Sequence, residues 1–177
     1  MRRKWLLQLL IVSILSVVLL AVLSKLDGRL LENAAVHTVF AAGQPGELND
    51  DNLVDGLIAL QLPVPISKVD LNGGILSVDL KVTADQFDKG RLYAGMAELS
   101  SFAFERTTNV DQLLLRLVAE DRWLGTKYLL LAADVHKNEL PQGALEMLRN
   151  HGDQELSDDL LQWFHITRTN LWRQSVN

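Results

Sequence analysis

The chain has 177 residues and contains no cysteine. This absence excludes disulfide bonds, thiolate nucleophiles, cysteine-rich zinc sites and the lipid-modified cysteine of a bacterial lipoprotein. A domain without disulfides must be stabilised by apolar burial. The hydrophobic content of 48% is high enough to supply it.

Clustered positive charge is also absent beyond residue 23. Arg2, Arg3 and Lys4 account for three of the 17 basic residues, which leaves 14 basic against 22 acidic residues, a net charge of -8, in the rest of the chain. Nucleic-acid binding requires a basic face that releases counterions. The sequence therefore predicts no nucleic-acid partner.

Motifs for catalysis and metal binding are missing as well. The chain has no GxSxG, P-loop or GxGxxG motif, and its acidic clusters at residues 50–55 and 155–159 lack the pattern of an EF-hand loop. The histidines are scattered, without HxH or HxxxH spacing: His37, His136, His151 and His165. We therefore predict no catalytic residue, no cofactor and no metal ion.

An uncharged run of nineteen residues, 5–23, dominates the amino terminus. As a helix it would be roughly 28 Å long, close to the ~30 Å thickness of the bilayer core. It therefore predicts a transmembrane helix that binds the lipid bilayer through one span. The anchoring side chains are Trp5, Leu6, Leu9, Leu10, Ile11, Ile14, Leu15, Val17, Val18, Leu19, Leu20, Val22 and Leu23.

Charge on one side of this run predicts its orientation. By the positive-inside rule, the basic residues 2–4 keep residues 1–4 in the cytoplasm and place the remainder outside, as a single-pass protein of the cell membrane. The alternatives are a secretory signal cleaved after Ser24, which would release the protein, and a buried soluble helix. Residues 24–48 are interpreted as a juxtamembrane spacer or, alternatively, as a helix that meets lipid or a partner's span.

Residues 49–137 are predicted to form an αββαβ(β) domain that starts with an amphipathic helix. Its apolar side chains share one face: Leu53, Val54, Leu57 and Leu60. Asn49 or Asp50 would cap this helix, and Pro63 would stop it.

A β-hairpin is predicted around residues 72–74, where Asn-Gly-Gly interrupts two alternating strands. A Gly73-Gly74 tip would pair Leu71 with Leu76, whereas an Asn72-Gly73 tip would shift the register by two residues. In the first register Lys68 faces Asp79, which explains that carboxylate more simply than a glycosidase pair of Asp79 with Asp70.

A second helix should begin at Asp88, with Phe87 and Leu92 as a hydrophobic staple, and end at residues 107–109. A third strand is predicted at residues 110–119. The run at residues 128–135 fits a strand better than a helix, although both remain open.

The final segment, 138–177, is predicted to be a helical tail of two short helices packed on the domain. Its aromatic side chains, together with Trp123, either pack on the sheet or form a surface for a partner. The candidate surface comprises Trp123, Trp163, Phe164 and Trp172.

The order of elements in residues 49–119, together with the stretch ILSVDLKVTADQF, resembles the GerMN and ring-building-motif domains of membrane-anchored sporulation and germination proteins in spore-forming bacteria. The element order predicts an α+β fold, with an antiparallel or mixed sheet and helices on one face. The resemblance implies a noncatalytic role in assembly or binding at the envelope. It does not extend to the span or the tail, and GerMN proteins are typically lipoproteins.

Two functions follow as expectations. The first is an anchored, extracytoplasmic, noncatalytic domain that binds proteins or self-assembles at the bacterial cell envelope. The alternative is an extracytoplasmic enzyme acting on cell wall or polysaccharide, or a small-ligand-binding protein.

Overall fold

A computed structural model of the chain describes residues 44–82, 88–120 and 125–175, all within a compact unit at Thr38–Asn177. Within these ranges no helix is both long and apolar enough to cross a bilayer. The span predicted at residues 5–23, and most of the spacer, lie outside the described residues, so the membrane anchor stays a prediction.

The described chain alternates short helices with the strands of one sheet. Its elements are α1 (Leu53–Ile58), β1 (Ile66–Asn72), β2 (Ile75–Val82), α2 (Lys89–Ser101), a π-helical turn (Phe102–Arg106), β3 (Gln112–Glu120), β4 (Lys127–His136), a 3-10 turn (Lys137–Glu139), α3 (Ala144–Arg149), α4 (Asp158–Trp163), β5 (Thr167–Arg168) and α5 (Asn170–Ser175).

The five strands form one mixed sheet in the order β1-β2-β3-β4-β5. β2 and β3 are parallel, whereas the other neighbouring pairs are antiparallel. A parallel pair needs a crossover connection, and α2 lies in the connection between these two strands. The predicted α+β class is confirmed, and the sheet is mixed rather than purely antiparallel.

Alternation along the central strands explains why one face of the sheet is covered. On β2, Leu76, Val78 and Leu80 are buried, whereas Ser77 and Asp79 between them are only partly buried. The buried set joins the apolar side of α2 in a single core. We call the opposite, polar side of β1 to β4 the open face.

The hairpin forms as predicted, and of the two turns left open its tip is Gly73-Gly74. Leu71 pairs with Leu76, and the residue pair closest to the turn is Asn72 with Ile75. Both glycines have positive φ, at 55° and 86°, the conformation that a two-residue hairpin turn demands.

Helix α2 begins at its predicted cap, because the Asp88 carboxylate accepts a hydrogen bond from the Arg91 backbone N–H at 2.9 Å. Leu92 is buried, but its proposed staple partner Phe87 lies outside the described residues. The helix passes into the π-helical turn and ends before Thr107, as predicted. The run at Lys127–His136 is a strand, which confirms the favoured interpretation.

The prediction for α1 was wrong at its start. The helix begins at Leu53 after Asn52, whereas Asn49 uses its side-chain oxygen to accept from the backbone N–H groups of Asp51 and Asn52 in the preceding turn. Val54, predicted to face the core, is 54% exposed. A two-turn helix has room for only a narrow apolar stripe, which Leu53 and the buried Leu57 occupy.

The tail was also predicted wrongly, as two helices. It contains three short helices and the strand β5, which pairs with β4 through Leu131 with Arg168 and Ala132 with Thr167. His165 has a positive φ of 42° and lies where α4 ends and the chain turns towards β5. The sheet therefore gains its fifth strand from the tail, at the end opposite β1.

Candidate interaction surface

An apolar groove lies between α1 and β1 and has a volume of about 330 Å³. Two side chains on its rim are strongly exposed: Val54 at 54% and Ile58 at 70%. The lining is Val54, Leu57, Ile58, Leu62, Val64, Pro65, Ile66 and Val69. An apolar groove without charged lining is suited to an apolar side chain from another segment or protein.

β1 borders this groove and is an edge strand, because in the described part of the chain it pairs with β2 alone. An edge strand presents backbone donors and acceptors that a further strand can use. The register shifts between Ile66 and Lys68, and this irregularity is one of the features that limit unwanted pairing at edges. The groove and the edge together form the candidate interaction surface.

The open face carries an ordered pattern of charge. Arg116 donates from Nε and Nη2 to the two carboxylate oxygens of Asp79, at 2.7 and 2.8 Å. Lys68 is the register partner of Asp79, as predicted, but the carboxylate binds Arg116 across the parallel pair. A depression of about 240 Å³ here is lined by Lys68, Asp70, Ser77, Asp79, Leu114 and Arg116.

A second polar depression, of about 490 Å³, lies at the hairpin-turn end of the sheet. Gln112 and His136 face each other across β3 and β4, and the Gln112 amide donates to Asp134 at 2.6 Å. The ring of His136 packs edge-on against that of His165, with 6.0 Å between centroids. The polar side chains at this end of the sheet therefore contact one another.

One ion pair joins the tail to the start of α2, and a second lies within the tail. Glu155 accepts from Lys89 at 3.1 Å and from Arg168 at 2.8 Å. The hydrogen bond from Lys89 is the main cause that lowers the pKa of the Glu155 carboxyl. Because this carboxylate is 57% exposed, solvent screens the pairs and their contribution to stability is small.

Tyr93 on α2 is fully buried, and its hydroxyl has no hydrogen-bond partner among the described residues. Burial disfavours the phenolate and raises the pKa of Tyr93 to about 12. The ring lies edge-on to His151 and tilted to Trp172, at centroid distances of 5.9 and 6.4 Å. Its role is therefore packing between α2 and the tail.

The candidate aromatic surface is not supported for two of its four residues. Phe164 is 0% and Trp172 is 1% exposed, so both belong to the core and cannot contact a partner. Trp163 is partly buried and packs against the same core. Trp123 lies outside the described residues. These three tail aromatics follow the alternative interpretation, packing of the tail on the domain.

Metal ligands are not brought together in the described ranges: no group of three or more His, Asp or Glu side chains there could hold a metal ion.

The exposed residues of the groove were not predicted from the sequence, since Val54 was placed in the core and Ile58 was not assigned. The sequence did contain a signal for the groove, because Val54 and Ile58 give the short helix α1 a second apolar face.

Comparison with known proteins finds no relative: neither a protein-family model, nor a curated protein, nor a solved structure matches the chain.

Proposed function

We propose that this chain is a membrane-anchored, extracytoplasmic, noncatalytic module that binds protein partners or assembles with itself at the bacterial cell envelope. The groove beside β1, an edge strand in the part of the chain that the structure describes, is the observation that carries the proposal. Val54 and Ile58 expose apolar area there, and burial of that area by another protein would be favourable.

Two features of the sequence supply the rest of the proposal. The uncharged run at residues 5–23, preceded by three basic residues, would anchor the module with its described domain outside the cell. The order α1-β1-β2-α2-β3 is the order on which the resemblance to GerMN and ring-building-motif domains rests. That resemblance extends the proposal to sporulation or germination.

The experiment uses the full chain in membranes of an expressing bacterium. Protease added to intact spheroplasts should degrade the described domain, and an amine-reactive crosslinker should yield species larger than the monomer. Ile58→Asp should reduce those species several-fold, because it places a charge in the apolar groove. Met147→Asp is the matched control, since Met147 is 49% exposed on α3, away from the groove.

A protected domain would refute the proposed location. Crosslinking that returns only monomer would refute the interaction role, and equal loss in both variants would show that the groove is not the contact.

The second candidate is an extracytoplasmic small-ligand binder or enzyme acting on polysaccharide. The depression on the open face favours it, because Lys68, Asp70 and Asp79 converge there. Its weakness is that Arg116 already occupies both oxygens of Asp79. Binding of cell-wall oligosaccharides to the purified full chain, lost in Asp70→Asn, would support this candidate over the first.

A further inference from the structure

The backbone of β1 is arranged to accept another strand. In a two-residue hairpin the pair that flanks the turn, here Asn72 with Ile75, shares hydrogen bonds, and such pairs alternate along the strand. Asp70 and Lys68 therefore bond to β2, whereas the N–H and C=O groups of Val69 and Leu71 point to the outer edge.

The side chains around Val69 carry opposite charges at symmetric positions. Lys68 precedes it and Asp70 follows it, and both are exposed on the open face. Val69 itself lies on the other face, where it lines the groove and packs against the core. Two copies of this edge in antiparallel orientation, centred on Val69, would therefore place opposite charges against each other.

We propose that β1 pairs in antiparallel fashion with β1 of a second copy of this chain, about a two-fold axis that lies midway between the two Val69 residues. This inference rests on the proposed function and specifies the partner. On the axis the outward backbone groups of the two Val69 residues bond to each other. Lys68 then faces Asp70 of the second copy, and Asp70 faces its Lys68, which gives two opposite-charge pairs.

Charge also selects this register over its neighbours. Sliding one strand by two residues places either Lys68 against Lys68 of the second copy or Asp70 against its Asp70. Like charges directly opposite each other are destabilising in a sheet. Of these three registers, only the one centred on Val69 joins opposite charges.

The groove supports the same geometry. A two-fold axis perpendicular to the sheet keeps like faces on the same side, so α1 of each copy lies beside the new seam. Val54 and Ile58 of both copies would then approach across it and cover the two grooves. The same two-fold pairing therefore provides hydrogen-bond partners for the outer backbone groups of β1 and removes exposed apolar area from water.

A charged residue and a bulge on an edge strand often serve only to prevent pairing. Lys68 and the irregularity beside it fit that role on their own. Asp70 does not, because it supplies the one charge that neutralises Lys68 in a symmetric pair. The compensating charge favours a second copy over an unrelated strand.

The absence of cysteine makes a direct test available. In Val69→Cys the two sulfurs would lie on either side of the axis, on a residue pair whose Cα atoms are about 5.5 Å apart, within the range of about 4.4 to 6.8 Å that a disulfide spans. Mild oxidation of membranes that contain the full chain should give a disulfide-linked dimer. Asn72→Cys is the matched control, since the two Asn72 residues would be roughly 20 Å apart.

Charge reversal supplies a second measurement, in which any effect of the cysteine itself is common to all the variants compared. In the Val69→Cys background, Asp70→Lys should lower the rate of crosslinking roughly tenfold, because it creates two like-charge contacts. Adding Lys68→Asp should restore the rate, because the exchanged charges again face their opposites.

Each outcome decides between the proposals. A dimer from Val69→Cys, none from Asn72→Cys, and rescue by the double reversal support pairing through β1. The pairing would be overturned by any of three results: equal crosslinking of both cysteines, no dimer, or no rescue. The same results are expected if residues before 44, or a strand of an unrelated protein, occupy the edge instead. If amine crosslinking still yields larger species that require Ile58, the proposed function stands without this pairing.

Discussion

Arg116 on β3 holds Asp79 on β2 by two parallel hydrogen bonds, so that one ion pair joins the two parallel strands at the centre of the sheet. The Asp79 side chain is 15% exposed and that of Arg116 is 54% exposed. Partial exposure limits the contribution of the pair, because water screens the guanidinium, to about 1 kcal/mol.

Asp79→Asn should therefore lower the free energy of unfolding by about 1 kcal/mol, since the amide keeps the shape of the side chain and loses its charge. Urea denaturation of the full chain in detergent micelles measures this change. Asp51→Asn, at an exposed carboxylate outside the sheet, should change it by less than about 0.5 kcal/mol. Equal effects of the two substitutions would argue against a stabilising pair.

The two turn glycines should differ in their tolerance of a side chain. At Gly74 an added Cβ would lie 3.0 Å from the backbone oxygen of Asn109 and φ is 86°, whereas at Gly73 nothing lies within 4 Å and φ is 55°. We expect Gly74→Ala to cost about 2 to 3 kcal/mol and Gly73→Ala about 1 kcal/mol. Thermal unfolding of both variants measures the difference, and a larger cost at Gly73 would contradict this account.

Tyr93→Phe should leave the protein as stable as before or more stable by about 1 kcal/mol at neutral pH. The substitution removes a buried hydroxyl that has no partner among the described residues and keeps the ring that packs on His151 and Trp172. Urea denaturation at pH 7 measures this, and a loss above about 1 kcal/mol would reveal a hydrogen bond that the hydroxyl makes.

The same tyrosine should make stability depend on pH in alkali. Burial raises its pKa from 10.0 in the unfolded chain to about 12 in the folded one, so the folded state holds the proton more tightly. The associated stability is fully present below about pH 10 and is lost as pH rises towards 12, by about 2 to 3 kcal/mol. The difference between wild-type and Tyr93→Phe stability across this window should shift by that amount in favour of the variant.

Trp172 should be essential to the fold rather than to a contact. Trp172→Ala removes a side chain that is 1% exposed and should cost about 3 to 5 kcal/mol, whereas Trp163→Ala, at a partly buried ring, should cost clearly less. Unfolding followed by circular dichroism measures both. Unchanged stability in Trp172→Ala, with loss of crosslinked species instead, would restore the partner-surface hypothesis.

Local chemistry made several elements predictable. The hairpin followed from two glycines between alternating strands, although its register was left open between two turns, and the start of α2 followed from Asp88, whose carboxylate can cap a helix. The strand at Lys127–His136 followed from its run of apolar residues. In each case the deciding interaction joins residues close in sequence, so the pattern alone contained it.

Contacts between distant residues were not predictable in this way. Periodicity placed Val54 in the core, but only the position of α1 beside β1 shows that Val54 lines a groove. Residues 167 and 168 are too few to show alternation, so the sequence did not predict β5. This strand is defined by its pairing with β4. The ion pair of Arg116 with Asp79 was not predicted, because it depends on the register between the parallel strands β2 and β3.

The sequence by itself determined the acidic, cysteine-free composition, the uncharged run at residues 5–23 and the order of helices and strands in residues 49–119. These depend on composition and short-range periodicity. Only the tertiary structure decided that Phe164 and Trp172 are core residues, that Asp79 binds Arg116, and that β1 is, among the described residues, an edge strand beside a groove. The reason is physical: burial, ion pairing and edge exposure depend on which distant segments meet, and that is settled by packing of the whole chain.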